Sequence, residues 1–200
     1  MYQETTANDL RLLLQEQLEF CETVLDIGSG TGVLLEDYPA AAVIALDIHR
    51  PYLVHRVYRA PHIIPLHADA REIGKLFLPG TFSAVTFIDS LEHLNREDGK
   101  VLLAKAEEIA SRKVIVFTPR GFFPQSGVDY YALNGEQYQQ HLSGWEPEDL
   151  SSLGYEVLIL KGFHHSGNLA FQRAFGDGHP PLDALLAWKT VRQAAAGKGG

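Results

Sequence analysis

Val24-Leu25-Asp26-Ile27-Gly28-Ser29-Gly30-Thr31-Gly32 sets three glycines at alternate positions behind an apolar run that carries an aspartate. Such a run, stopped at once by glycine, predicts a buried strand over residues 22–27 that ends in a tight turn. Glycine lets the backbone turn sharply and lets a ligand approach it closely. A pyrophosphate site has the spacing G-x-G-x-x-G, and a P-loop closes with G-K-S/T. Here the spacing is G-x-G-x-G and no G-K-S/T follows, which excludes the P-loop.

Outward from this turn the chain alternates strands and helices. An amphipathic helix over 4–20 precedes it, with Leu10, Leu13, Leu14 and Leu18 at helical spacing. A short helix from Thr31 to Tyr38 follows, ended by Pro39. "AAVIAL" makes a second strand that stops at Asp47. Residues 51–57 predict a helix, and His62 to Leu66 a weaker third strand interrupted by Pro65. Phe82 to Ile88 is a fourth strand. A helix from the Asn95 cap to Ala110 leads to a fifth strand, Lys113 to Phe117. Five such units in series predict an α/β fold: a doubly wound, mostly parallel sheet with helices on both faces. Ligands of such sheets bind beyond the carboxyl ends of the strands. The glycine turn, Asp47, Asp69 and Asp89 all fall at or just after predicted strand ends.

The alternation breaks at Pro119. An insert at about 119–150, rich in Gly, Tyr, Phe, Gln and His, has no clean period until a short helix at Pro147 to Leu153. Glu156 to Leu160 and Leu169 to Arg173 read as two last strands, an antiparallel pair. Leu182 to about Ala195 reads as a helix, and residues 196–200 as a frayed end. The whole, residues 1–200, reads as one domain.

Of the 200 residues, 25 are Asp or Glu against 17 Lys or Arg, a formal charge of -8 that disfavours a nucleic-acid partner. No apolar run approaches a membrane span, and the N-terminus lacks the pattern of a signal peptide. Cys21 is the single cysteine, so no internal disulfide forms; a reducing cytoplasm is the expected location. Nothing in the sequence specifies an oligomeric state.

"VLDIGSGTG" resembles motif I of the class I S-adenosylmethionine (SAM)-dependent methyltransferases, and the resemblance continues in order over residues 22–120. It implies a seven-stranded sheet of order 3-2-1-4-5-7-6 with the last strand antiparallel. It also implies SAM as cofactor, held by Asp26, Gly28, Ser29, Gly30 and Gly32. Asp47, followed by Ile48, matches the acid that holds both ribose hydroxyls. In "HADAREI", Asp69 would receive the adenine amino group with Ala70 beside the ring. "FSAVTFIDSLEHL" matches the fourth-strand motif and brings Asp89 to the cofactor. The chemistry agrees, since a carboxylate accepting from both hydroxyls of a diol makes two charge-assisted hydrogen bonds. SAM carries no phosphate that the turn would have to surround.

The acceptor site is sought in two places. Asp89, Glu92 and His93 fall at i, i+3 and i+4, one face of a helical turn. "DSLEH" resembles the E-x-x-E-H arrangement of methyltransferases that orient hydroxyls on a metal, with Asp89 in place of the first Glu. A divalent cation is therefore weighed, but the balance favours a site with no metal, in which His93 and Glu92 do the proton chemistry. The insert is the second place. It brings Arg120, Tyr130, Tyr131 and His141, aromatic and polar groups suited to a sugar-like acceptor, with His141 a candidate for the chemistry. "YQQHLSGW", "EPEDL" and "LGYEV" resemble bacterial methyltransferases of glycan biosynthesis. Trp145 reads as packing, Cys21 as an inert buried thiol, and His164 with His165 as loop or surface residues. The expected function is SAM-dependent methyl transfer to a small polar or glycan acceptor, on oxygen. Two readings compete: a nicotinamide-dependent oxidoreductase and a methyltransferase-like domain that binds without turnover.

Overall fold

The structure is a computed structural model that describes residues 2–7 and 9–191. Its elements in chain order are β1 (Gln3–Thr5), α1 (Leu10–Gln17), β2 (Thr23–Ile27), β3 (Ala42–Asp47), α2 (Arg50–Val54), β4 (Ile63–His67), α3 (Ile73–Leu76), β5 (Phe82–Ile88), α4 (Arg96–Ile109), β6 (Ala110–Pro119), α5 (Pro147–Ser152), β7 (Glu156–His164), α6 (Leu169–Phe175) and β8 (Leu182–Thr190). One sheet holds every strand, in the order β4-β3-β2-β5-β6-β8-β7-β1.

β2 lies inside the sheet, parallel to β3 on one side and β5 on the other, with Leu25 level with Ile44 and Val85. All three stop at the same edge, so the glycine turn, Asp47 and Asp89 leave the sheet side by side. Only β8 runs antiparallel, wedged between β6 and β7. The order 3-2-1-4-5-7-6 therefore holds for β2 to β8, and β1 adds an eighth strand beside β7, level with Leu158 to Leu160.

Two apolar layers cover the sheet. Leu102, Leu103, Ala106 and Ile109 of α4 pack on one face together with Trp145 and Leu150. Leu14 and Leu18 from the N-terminal region pack on the other with Tyr38 and Phe117. Asn95 caps α4 by accepting from the Asp98 N–H at 2.9 Å, while its own amide donates to the Asp98 carboxylate at 2.8 Å. Glu146 and Asp149 form a reciprocal capping box at the start of α5. Trp145 is fully buried, and its ring lies where a Cβ on Gly99 would stand, 2.8 Å away. It anchors the end of the insert to α4, as a packing residue should.

Several local expectations are corrected. Residues 169–173 are not a strand but lie in α6, started by the Asn168 side chain accepting from the Phe171 N–H and stopped by Gly176 at φ 72°. The predicted helix from Leu182 is instead β8; its extension beyond 191 lies outside the described residues. Ala184, Leu185, Leu186 and Ala187 are all fully buried between two neighbouring strands, and a continuous apolar run fits a doubly covered strand as well as a helix. The helix over 4–20 shortens to α1 preceded by β1. The stretch from Thr31 to Tyr38 holds only a 3₁₀ turn at Leu35–Asp37, with Gly32 at φ 75°.

Candidate active site

A cavity of about 590 Å³ opens beyond the carboxyl ends of β2, β5 and β6. One side is the glycine turn. Gly28, Gly30 and Gly32 all have positive φ, which side-chain-bearing residues rarely adopt. Gly28 sits against Ser90, and a Cβ there would stand 2.6 Å from the Ser90 Cβ. Gly30 has nothing among the described residues within 4 Å of its missing Cβ, so its bare backbone faces open space. The Ser29 and Ser90 hydroxyls are buried without a hydrogen-bond partner among the described residues.

Asp26 forms the floor. It is buried and its Oδ1 accepts from Thr86 Oγ1 at 2.5 Å and Tyr38 Oη at 2.9 Å. Burial pushes its pKa up to about 6, and Asp47 adds to the rise, while the Thr86 and Tyr38 hydroxyls oppose it. A carboxyl raised on folding is easier to protonate in the native state than in the unfolded chain. Ionising it therefore costs stability: nothing below about pH 4, and on the order of 3 kcal/mol above about pH 6. Asp26→Asn is expected to melt higher than the parent at pH 8, with the gain shrinking to nothing near pH 4. Thermal melts of both proteins across that range check it.

Asp47 ends β3 and is buried. Its Oδ2 accepts from the Gly30 N–H at 2.8 Å and its Oδ1 from the His49 N–H at 2.7 Å. It thus ties the glycine turn to the next loop, and each oxygen keeps a further acceptor site. Burial raises its pKa, and the two N–H donors oppose the rise. Ile48 is exposed beside it. Asp69 stands next along the edge and caps the turn at Ala70 by accepting from the Arg71 N–H at 2.9 Å. The Arg71 guanidinium also grips its carboxylate, at 2.6 Å from Nη2, and holds its pKa below the usual carboxylate range. Asp47, Ile48, Asp69 and Ala70 do not line the cavity; they flank it on the β3–β4 side.

The opposite wall is chemically richer. Asp89 follows β5 in the left-handed region, φ 48°, a conformation Asp tolerates better than most residues. Asp89 is exposed and lines the cavity. Glu92 is buried and accepts from Thr118 Oγ1 at 3.0 Å. Enclosure by protein pushes both carboxyl pKa values up, and for Asp89 the Glu92 carboxylate adds to the effect. His93 points its Nδ1 at the Gln140 carbonyl, 3.0 Å away, and His141 points its Nδ1 at the Phe123 carbonyl, 2.7 Å away. A carbonyl only accepts, so both Nδ1 atoms carry the proton. Burial lowers both imidazole pKa values, that of His141 to about 4, so both rings are neutral at pH 7. Their centroids lie 4.9 Å apart.

The insert forms the roof, with Phe123, Gln125, Tyr130, Tyr131 and Gln139 lining the cavity. It rests on the loop after β3: His49 Nε2 meets the Leu133 carbonyl at 2.9 Å and Tyr52 meets Tyr131 edge-on. Arg120 does not line the cavity. Glu146 and Asp183 hold its guanidinium at 3.0 and 3.2 Å, so it closes the base of the insert instead. His164 is not a surface residue: it is buried at the end of β7, lines the cavity and has no partner for its Nε2 among the described residues, whereas His165 is exposed. Sequence reasoning missed Tyr38, His49, Thr118, Phe123 and His164. Their roles depend on contacts between distant segments, and no local pattern marks them.

Residues 24–112 match the sequence profile of a family described as "Methyltransferase domain". Over these residues the chain is similar to methyltransferase domains. No curated protein sequence matches it. Among solved structures, a SAM-dependent methyltransferase from Archaeoglobus fulgidus is similar at 20% identity and TM-score 0.55, over 90% of this chain and 94% of the other. The N-terminal domain of EvdMO1, crystallised with S-adenosylhomocysteine (SAH) and D-fucose, is similar at 15% identity and TM-score 0.58, over 94% and 84%. The 1,6-didemethyltoxoflavin-N1-methyltransferase of Burkholderia thailandensis, with SAH and its acceptor bound, is similar at 14% identity and TM-score 0.57, over 91% and 76%. The geometry of the site fits SAM. The turn is open at Gly30, the Ser29 hydroxyl is unpartnered, and only a three-residue 3₁₀ turn follows. A dinucleotide site would put its pyrophosphate on the first turn of a full helix there.

Proposed function

We propose that the chain transfers a methyl group from SAM to an oxygen of a small, polar, sugar-like acceptor. The observation that supports this best is the cavity itself, which joins the glycine turn at one end to Asp89, Glu92, His93 and His141 at the other under an aromatic and amide roof. The D-fucose seen with EvdMO1 and the small heteroaromatic acceptor of the Burkholderia enzyme lend weight to a small-molecule acceptor. Residues 1–200 are read as one domain whose insert at about 119–150 covers the acceptor, in a reducing cytoplasmic setting.

Bound SAM would supply an electrophilic methyl group on a sulfonium. In this reading Asp47 accepts from the ribose hydroxyls through its remaining lone pairs, beside Ile48. Asp69 and Ala70 border the adenine, with Asp69 already gripped by Arg71. Asp26, Gly28, Ser29, Gly30 and Gly32 hold the amino-acid end, and Asp89 stands between that end and the acceptor. Tyr130 and Tyr131 border the acceptor. Displacement at a methyl group needs attacking oxygen and leaving sulfur in line, so alignment under the insert is the main contribution. His93, neutral at pH 7, can take the hydroxyl proton on Nε2, and Glu92 and His141 complete the polar wall.

Incubating the protein with methyl-labelled SAM and a panel of monosaccharides, nucleotide sugars, phenols and amines tests the reading. Label is expected on a hydroxyl oxygen of a sugar-like member. Label on nitrogen alone would correct the atom. No label on any acceptor, in protein that binds SAH, would favour a binding domain without turnover.

A further inference from the structure

His164 is a buried imidazole that the methyl-transfer chemistry does not use. It ends β7 on the wall of the cavity, and its Nε2 is buried without a hydrogen-bond partner among the described residues. Burial lowers its pKa to about 4, and the neighbouring His165 adds to the fall, so the ring is neutral at pH 7. A neutral imidazole has one donor and one acceptor nitrogen, and leaving either unpaired inside protein is unfavourable. The ring packs edge-on against Phe123, 5.3 Å between centroids, and Phe123 packs in turn against His141 at 5.8 Å. His164 thus stands across Phe123 from the His93–His141 pair. Asn168, in the same connection between β7 and β8, is also on the wall. Its Oδ1 accepts from the Phe171 N–H at 3.1 Å, which fixes the amide and leaves the NH2 group as a donor.

Charge narrows what this end of the cavity can take. Among the described residues, Arg11 is the one Lys or Arg on the wall, and Asp37, in the turn after the glycines, pairs with it. Arg173 lies over the Tyr130 ring but is not on the wall. Asp89 and Glu92 are. A phosphate or carboxylate on the acceptor would meet carboxyl groups and neutral rings with no counter-charge, and taking an anion out of water for such a site is costly. A hydroxyl group carries no such cost and pairs with both an imidazole and an amide.

We propose that His164 and Asn168 are the specificity-determining residues of the acceptor site and hydrogen-bond hydroxyl groups of an uncharged acceptor, in a chamber that rejects the phosphorylated counterpart. Resting on the methyl-transfer reading of this cavity, the methylated oxygen lies at His93 and the recognised hydroxyls lie past Phe123, whose ring covers the apolar face between them. Rotation about χ2, a soft torsion, brings a nitrogen of His164 to a hydroxyl. Discrimination against the anion comes from the uncompensated acids, so it needs no contact made to the favoured acceptor.

The test is saturation-transfer NMR on the full chain held in excess SAH, with methyl glycosides and the 1-phosphates of the same sugars as probes. At least one methyl glycoside is expected to bind, and its 1-phosphate at least about tenfold more weakly. His164→Phe keeps a ring against Phe123 and removes both nitrogens, so it should weaken the glycoside by roughly tenfold, the scale of one hydrogen bond to an otherwise unpaired group. His164→Gln should recover part of that loss. Asn168→Asp keeps the oxygen that caps α6 and removes the amide donor, so it should weaken the glycoside as well. His165→Ala, at an exposed position, should bind as the parent does. SAH titrations of the same samples report folding and the cofactor site separately. Binding of no methyl glycoside, equal or tighter binding of the 1-phosphates, or unchanged glycoside affinity in both His164→Phe and Asn168→Asp overturns the proposal. SAH binding in those samples would leave the methyltransferase reading standing, whereas folded parent protein that does not bind SAH would remove both.

Discussion

Asp47→Ala is expected to cut most of the rise in melting temperature that SAH gives the parent protein. The parent carboxylate would make two charge-assisted hydrogen bonds to a diol, each worth about 1.5–3 kcal/mol. Their loss corresponds to an affinity at least about 100-fold lower. At a SAH concentration 100 times the parent dissociation constant, binding adds about 2.7 kcal/mol to stability. A variant 100-fold weaker gains only about 0.4 kcal/mol at that concentration. The substitution also strips the Gly30 and His49 N–H groups of their acceptor, so the ligand-free variant should melt below the parent. Asp47→Asn separates the two effects only in part: its one amide oxygen keeps one of the two N–H groups paired, while its NH2 group faces the other. A SAH-induced rise of parental size in Asp47→Ala would remove Asp47 from the cofactor site.

Gly28→Ala is expected to cost the fold itself, by about 3 kcal/mol or more. Gly28 has φ 73°, where a side chain is strained by about 1–2 kcal/mol. The new methyl would also stand 2.6 Å from the Ser90 Cβ, an atom bonded to the backbone that no rotamer change removes. For a chain of this size that predicts a fall in melting temperature of roughly 6–12 °C. Gly30→Ala is the contrast. Its φ is 55°, but nothing lies within 4 Å of the added methyl, so stability should fall by only about 1–2 kcal/mol. That methyl would occupy the open side of the turn and weaken SAH. Equal melting temperatures for Gly28→Ala and the parent would contradict the packing described.

These two glycines show how much the chain discloses before folding. The turn, the strand that feeds it and the acids at the strand ends are local patterns, so the parallel half of the sheet and its binding edge were legible. The C-terminal half was not, because a run such as Ala184 to Ala187 is equally apolar as a helix face or as a strand covered on both sides. Asp26 and Asp47 could be picked out, but not their protein partners: Thr86 and Tyr38 for one, the Gly30 and His49 N–H groups for the other. Arg120 read as a group for the acceptor, yet Glu146 and Asp183, the latter 63 residues away, hold its guanidinium. His141 was a candidate on composition alone. That its ring meets His93, with both Nδ1 atoms tied to carbonyls, is a tertiary fact.

The most direct test of the central claim is calorimetric titration of the purified chain, freed of carried-over ligand, with SAH and in parallel with NAD. The account predicts saturable, micromolar binding of SAH at one per chain and no heat with NAD. Binding of NAD, or of neither ligand by folded protein, would contradict it.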